Sequence, residues 1–448
     1  RRPAEREADG GYLCVPLSSI LAGLSLQHGP VAAPPWYGPA HDLSVCVSPR
    51  SDFPVPNLRH EYAAVADAMI AGMAAWTRVP EPVLCGCLAS LSARYLAMSP
   101  ASTIDMPDTS LHDHNMLVAA FAAALFRYHK RTDSLQELAI RDRTSPKFRL
   151  VCGDLSGIQK FIFAPAPEGL RKGIARTFRA RSFYLSMLTR VAVFELLRAV
   201  GLPIFNCVID AGGRFVLLVD NTDETLRCLE AADQRIQQSL VEAHHGVLAL
   251  NIDWSVTAGG TDFLAPNFGS LYRRIQAGAE AARSRRLAGW LQPGGSWDEA
   301  AQCLRQVNPR RCAEAAARLF TEFGRRLPDA RFVAVLAGGV ACPGLLNDED
   351  APRLFGRTVQ LLDSPVEAMR ADDLVDLFAL EVPAPGPHAW LAHVPVANYV
   401  PRLSPDDRSC LAARPRPRDD GNDPQADARE VGDLATFEDP RILPRAPR

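Results

Sequence analysis

The sequence has no stretch able to cross a membrane as a helix. Its longest uninterrupted apolar run, Met116 to Phe126, has 11 residues, against the ~20 that a bilayer requires. No apolar signal core follows the opening Arg1-Arg2-Pro3, so no targeting segment is expected, and without an initial methionine the true N-terminus is expected to lie outside the chain. Net charge is also scarce, −2 over 448 residues. That excludes a global field drawing the protein onto nucleic acid or anionic lipid, so any such binding rests on local patches. C-x-x-C pairs are missing. The 11 cysteines are odd in number and scattered, which favours free thiols in a reducing cytosol over a disulfide framework. The remaining composition is ordinary, with 47% hydrophobic and 22% charged residues. It excludes a disordered chain, a collagen and a coiled-coil rod, and the length suggests about two to four domains.

Residues 1–55 are broken by prolines and carry little periodicity. From Glu61 to Trp76 and from Pro82 to Met98 the chain is Ala-rich, with apolar residues at helical spacing. A third helix is predicted through Leu117, Phe121, Leu125 and Tyr128, with Thr109 or Ser110 as its cap and Asp113 in its first turn. The texture changes near Lys147. Phe148–Asp154 reads as a buried strand ending in a Ser156-Gly157 turn, and a helix follows from about Arg179 to Val200, stopped by Gly201 and Pro203. Pro203–Ile209 and Phe215–Val219 read as strands joined by a tight Gly212-Gly213 hairpin. Thr222 opens a second helix closed by His244-His245-Gly246, and Val247–Trp254 is a further strand. Strand–helix–strand–strand–helix–strand is the ferredoxin-like order.

The expected class is therefore α+β. A helical domain covers 1–146, a ferredoxin-like domain 147–262, and a mixed helical and β insertion 263–402 that is basic in its first part. A proline- and charge-rich linker or disordered tail covers 403–448.

Several residues invite chemistry. A βαββαβ domain of the cyclase and polymerase kind holds two metal ions with carboxylates from its first strand and its hairpin. Here Asp154 ends the first strand, but the hairpin continues with Arg214, which contacts phosphate and cannot ligate Mg²⁺. Asp210 precedes the Gly-Gly turn, and its pairing with Asp154 would make a stand-alone nucleotidyl cyclase. The plainer reading of Gly212-Gly213 is backbone geometry alone. His112-Asp113-His114 and His41-Asp42 evoke an HD-type metal site, but at a helix start Asp113 serves the cap. Arg171, Lys172, Arg176, Arg179 and Arg181 form a basic run, read either as a solvated face or as a nucleotide or RNA surface. Cys303, Cys312 and Cys342 lack zinc-site spacing, so no bound zinc is expected.

Several stretches together resemble one family, the large signature subunit of type III-A CRISPR effector complexes. They are Ser99-Pro100-Ala101-Ser102-Thr103 followed by Thr109–His114, Gly153–Ile162, Arg179–Leu185, Gly212–Phe215, Phe323–Ala330 and Ala397–Pro401, spanning roughly 60–402. The resemblance implies an HD nuclease domain, a first palm, a zinc-bearing insertion and a second palm with Gly-Gly-Asp-Asp. It also implies synthesis of cyclic oligoadenylate from ATP and cleavage of single-stranded DNA when target RNA binds. In this chain no Gly-Gly-Asp-Asp occurs, the zinc cysteines are missing, and Thr436–Asp439 looks like the approach to a second palm.

The expectation is thus a partial, cytoplasmic subunit that is inactive alone. It would work with other type III-A subunits, CRISPR RNA, target RNA and single-stranded DNA, away from membranes. By motif, Ser156, Gly157, Ser182, Gly212, Gly213 and Arg214 are expected to line half of an ATP pocket, binding ATP weakly, with Mg²⁺ or Mn²⁺ dependent on a second palm. Asp154 matches a metal-ligand position whose hairpin partner is lost. A purely structural RNA-complex scaffold is the other alternative.

Overall fold

Strand β3 (Phe148–Ser156) is apolar on both faces, as a strand buried between two layers must be. In the computed structural model it is an inner strand of a four-stranded sheet with β4 (Cys207–Asp210), β5 (Arg214–Asp220) and β6 (Ala249–Ala258), in the order β4-β5-β3-β6. All pairs are antiparallel. With α6 (Ile174–Val200) between β3 and β4 and α7 (Asp223–His244) between β5 and β6, this is the ferredoxin-like arrangement. The structure describes residues 14–20, 35–39, 50–51, 55–74, 79–164, 174–286, 319–338, 344–347, 350–366, 368–380 and 391–393.

Alternation along the strands sorts the two faces. Val151, Leu155, Phe215, Leu217 and Val219 meet α6 and α7. Phe148, Leu150, Cys152, Val216 and Leu218 meet α3 (Leu111–Arg131) and α8 (Ala265–Ser284). Gly153 has no side chain because the Phe215 ring lies over it: an added Cβ would stand 2.0 Å from Phe215 Cζ. The strand expected over 203–209 begins only at Cys207. Asn206, fully buried, donates Nδ2 to the Ala120 and Leu218 carbonyls and holds 204–206 as a 3-10 turn. Ser110 caps α3 by accepting from Asp113 N, and Thr222 caps α7 by accepting from Thr225 N.

The helices of the first third do not close a core of their own. Two short strands, β1 (Leu17–Ser18) and β2 (Trp36–Tyr37), pair within the segment that lacked periodicity. Helices α1 (Arg59–Ala74) and α2 (Glu81–Leu96) pack instead on a second, five-stranded sheet, ordered β11-β10-β7-β9-β8. Its strands are β7 (Phe332–Leu336), β8 (Arg353–Leu354), β9 (Arg357–Leu362), β10 (Leu374–Ala379) and β11 (Ala392–His393). Phe332, Ala334 and Leu336 point to α1 and α2, while Val333 and Val335 join the core around α6. Helical and β layers therefore alternate through shared cores. Two short helices, α4 (Glu137–Arg141) and α5 (Ile158–Ile162), flank β3. The tail 403–448 lies outside the described residues.

Candidate functional site

Four of the expected site residues converge at the carboxyl end of β3. Gly212 and Gly213 form a two-residue loop closed by Ala211 N donating to the Arg214 carbonyl at 2.8 Å. Their φ values, 59° and 116°, are those a type I′ hairpin demands. The Gly213 carbonyl accepts from Leu155 N at 2.7 Å and fastens the hairpin to the strand end. A Cβ on Gly213 would press on Ile158 Cδ1 at 2.9 Å, whereas Gly212 faces open space. Gly157, at φ 93°, turns the chain from β3 into α5, and an added Cβ would lie 1.9 Å from the Val247 carbonyl oxygen. The Ser156 hydroxyl accepts from Asn251 Nδ2. Ser182 stands on α6, in the layer across the sheet from α8. Its neighbour Arg181 donates to the Ile162 and Ala164 carbonyls at 2.8 and 2.7 Å and ties that turn of α6 to α5.

Arg214 and Asp154 turn toward α8. They pair directly across the β3–β5 ladder and so share a face. Arg214 Nη2 donates to Gln276 Oε1 at 2.6 Å and approaches Cys152 Sγ. Arg283 Nε and Nη2 donate to the two Asp154 carboxylate oxygens at 2.7 and 2.8 Å, a bidentate fork. Asp154's side chain is 10% exposed and Arg283's 57%, so the acid is buried and its partner reaches in from the rim. The carboxylate in turn raises the Arg283 pKa. Arg283 thus supplies the counter-cation of this acid. Neither Gln276 nor Arg283 was singled out from sequence as a site residue. Their spacing of seven on one helical face, inside a segment already read as basic, was the available signal.

The alternative pair Asp154 and Asp210 is ruled out. Asp210 pairs with Phe215, whose ring faces α6, while Asp154 pairs with Arg214 on the α8 face. The two carboxylates are on opposite sides of the sheet. His112-Asp113-His114 serves the helix start: Ser110 Oγ accepts from Asp113 N at 3.0 Å and donates to Asp113 Oδ2 at 2.7 Å, and His112 Nδ1 pairs with Ser92 Oγ at 3.1 Å. Among the described residues no group of three or more His, Cys, Asp or Glu is arranged to hold a metal. The basic run needs correcting as a surface. Arg179 and Arg181 are buried, and Arg181 is spent on backbone carbonyls. Arg171, Lys172, His41-Asp42, Cys303, Cys312 and Cys342 lie outside the described residues. Among the described residues no helix is long and apolar enough to span a membrane.

Residues 147–292 match the family model of Csm1 subunit domain B. The chain is 31% identical over 166 residues to the CRISPR system single-strand-specific deoxyribonuclease Cas10/Csm1 (subtype III-A) of Thermococcus onnurineus, covering 37% of this chain and 21% of that protein. To the Mycobacterium tuberculosis protein of the same name it is 33% identical over 200 residues, covering 43% and 23%. In fold it is similar to a crystal structure of the Csm1–Csm4 subcomplex of a type III-A interference complex, with TM-score 0.61 and 19% identity, over 88% of this chain and 47% of that one. A Csm1–Csm4 cassette solved with one ATP is similar at TM-score 0.59 and 20% identity, over 86% and 46%. The matched region spans about a quarter or less of these curated relatives and under half of the solved neighbours. The chain is thus a relative of the Cas10/Csm1 subunits of type III-A CRISPR systems, alike over part of their length.

Proposed function

We propose that this chain acts as part of a type III-A large subunit, serving as scaffold and as one wall of a nucleotide pocket. The observation that carries the reading is the open backbone of the Gly212-Gly213 hairpin, fastened beside the Ser156-Gly157 turn at the carboxyl end of β3. Without Cβ atoms, this backbone lets a phosphate come close. Ser156, Gly157, Ser182, Gly212, Gly213 and Arg214 are the proposed lining, with Arg214 contributing charge from its seat on Gln276. Solved relatives of similar fold were crystallised with ATP and AMPPNP. Their Csm4 partner makes other subunits of such a complex the expected company for this chain. CRISPR RNA, target RNA and single-stranded DNA enter through that assembly, in the cytoplasm.

The chain alone makes no cyclic product in this reading. Asp154 is occupied by Arg283, and the hairpin offers no second carboxylate on the same face. One wall leaves much of a nucleotide in water, so ATP affinity on the order of millimolar is expected, worth only ~4 kcal/mol. The test is an ATP titration of the full chain labelled with ¹⁵N-glycine, with and without a second-palm fragment from a type III-A relative. Shifts confined to Gly157, Gly212 and Gly213, tightened by the fragment, support the reading. If these amides stay unmoved while the fragment has no effect, the hairpin is plain scaffold.

A further inference from the structure

At the β4 edge of the sheet, a cleft of about 530 Å³ opens where α2, the start of α3 and α6 meet. Ala93, Met116, Phe205 and Val208 give it apolar walls, and Arg94, Arg190 and His112 reach it from three different helices. Arg190 is the telling residue. Its guanidinium lies over the Phe378 ring, 4.3 Å from the centroid, and its buried Nε has no hydrogen-bond partner among the described residues. An arginine held flat on an aromatic face with donors unspent is preorganised for a planar or tetrahedral oxyanion.

The acids nearby do not neutralise it. Asp376 lies close enough for the charge of Arg190 to be felt, yet no ion pair joins them among the described residues. Asp376 instead takes the Leu377 N–H at 2.9 Å through Oδ1. Asp113 is committed to the α3 cap, and Asp210 stands exposed at the rim. Arg94 is buried in the opposite wall, beside the Tyr95 ring. His112 has its Nδ1 held by Ser92, and burial pushes its pKa down.

We infer that this cleft binds a phosphate-bearing anion of nucleotide size, with Arg190 and Arg94 gripping the phosphate and the apolar walls taking the base. The volume fits, since small-molecule sites run from ~300 to 1,000 Å³. The site is separate from the hairpin wall proposed above and does not depend on it, because none of Ser156, Gly157, Ser182, Gly212, Gly213 and Arg214 lines it.

The experiment titrates the full chain with inorganic pyrophosphate and, separately, with ATP, both without divalent metal, following the His112 imidazole resonances by NMR. Saturable shifts are expected with both probes, at least tenfold tighter for ATP. Arg190→Gln should weaken them at least tenfold, while Arg214→Ala leaves them unchanged. Equal affinity for the two probes removes the base from the proposal and overturns the nucleotide assignment. No saturable shift, or shifts that survive Arg190→Gln, overturn the site altogether, as does loss of the shifts in Arg214→Ala. Should Arg190→Gln fail to fold, Arg94→Gln tests the opposite wall, and unchanged affinity there is equally decisive against it.

Discussion

Removing Arg283 probes directly what the first strand's acid is doing. The pair consists of two charge-assisted hydrogen bonds from a half-exposed guanidinium to a carboxylate with 10% exposure. Breaking a fully buried pair costs ~3–5 kcal/mol and an exposed one at most ~1. With only the acid buried, Arg283→Ala should cost about 2 kcal/mol, because Asp154 is left beneath α8 without its partner. Asp154→Ala should cost less, about 1 kcal/mol, since Arg283 then swings into water. The double variant should fall well short of the sum, the coupling being ~1 kcal/mol.

Hydrogen exchange measured on the peptide covering Phe148–Ser156 reads this locally. A loss of ~2 kcal/mol appears there as roughly thirtyfold faster exchange of amides that open with the sheet. Arg283→Lys, which keeps the charge and loses the fork, should recover less than half of the protection. Exchange within about twofold of the unmodified chain in Arg283→Ala, or strictly additive single and double variants, would refute the idea that Arg283 serves as the counter-cation of Asp154.

Two glycines of the proposed wall should separate cleanly in a denaturant melt. Gly212→Ala meets nothing within 4 Å and costs only the left-handed backbone, ~1 kcal/mol, whereas Gly157→Ala drives a Cβ onto the Val247 carbonyl at φ 93° and costs ~3 kcal/mol or more; equal losses would contradict the geometry. His244, buried against Tyr184, has its pKa lowered to about 4, so the folded state binds fewer protons than the unfolded. Stability should fall as pH drops from ~6.5 toward 4, and that slope should vanish in His244→Gln. Asp376 is raised to about 7 by burial, which gives the opposite sign. Its contribution is greatest below ~4 and is lost as pH rises toward 7, and Asp376→Asn should flatten that limb of the stability curve. Finally, ATP, Mn²⁺ and single-stranded DNA mixed with the chain alone should yield neither oligoadenylate nor cleavage by chromatography and gel, and a product abolished by Asp154→Ala would restore the cyclase reading.

Much of the palm was legible because its signals are local. The Thr222 and Ser110 caps, the Gly-Gly loop, and strands whose both faces are apolar each declare themselves within a few residues. The second sheet was not legible in this way. Two of its strands, Arg353–Leu354 and Ala392–His393, have two residues each and carry no period, and its order interleaves distant segments. The same limit hid Arg283, which lies 129 residues from the acid it holds. Hydrophobic pattern shows that α8 must cover a sheet face, yet not which charge it brings over which strand. Gly153 was quoted only as part of a motif, and its reason, the ring of Phe215 across the ladder, is likewise a fact of register.

Register also decides what this palm can do. A two-residue loop between β4 and β5 fixes Ala211 opposite Arg214, and therefore Asp210 opposite Phe215. The β3 pairing then places Phe215 opposite Gly153 and Arg214 opposite Asp154. Side chains alternate faces with period two, so the hairpin position sharing a face with Asp154 is 214, and an acid at 210 faces the other way whatever its rotamer. An arginine at 214 thus does more than omit a ligand. It places a second cation beside Asp154 on the face where Arg283 already neutralises that acid, and α8 seals the arrangement through Gln276. The α8 face is thereby built for holding the sheet together. The chemistry left to the hairpin lies chiefly in its unsubstituted backbone, at the end of β3 where Gly212 still meets open space, with the charge of Arg214 beside it.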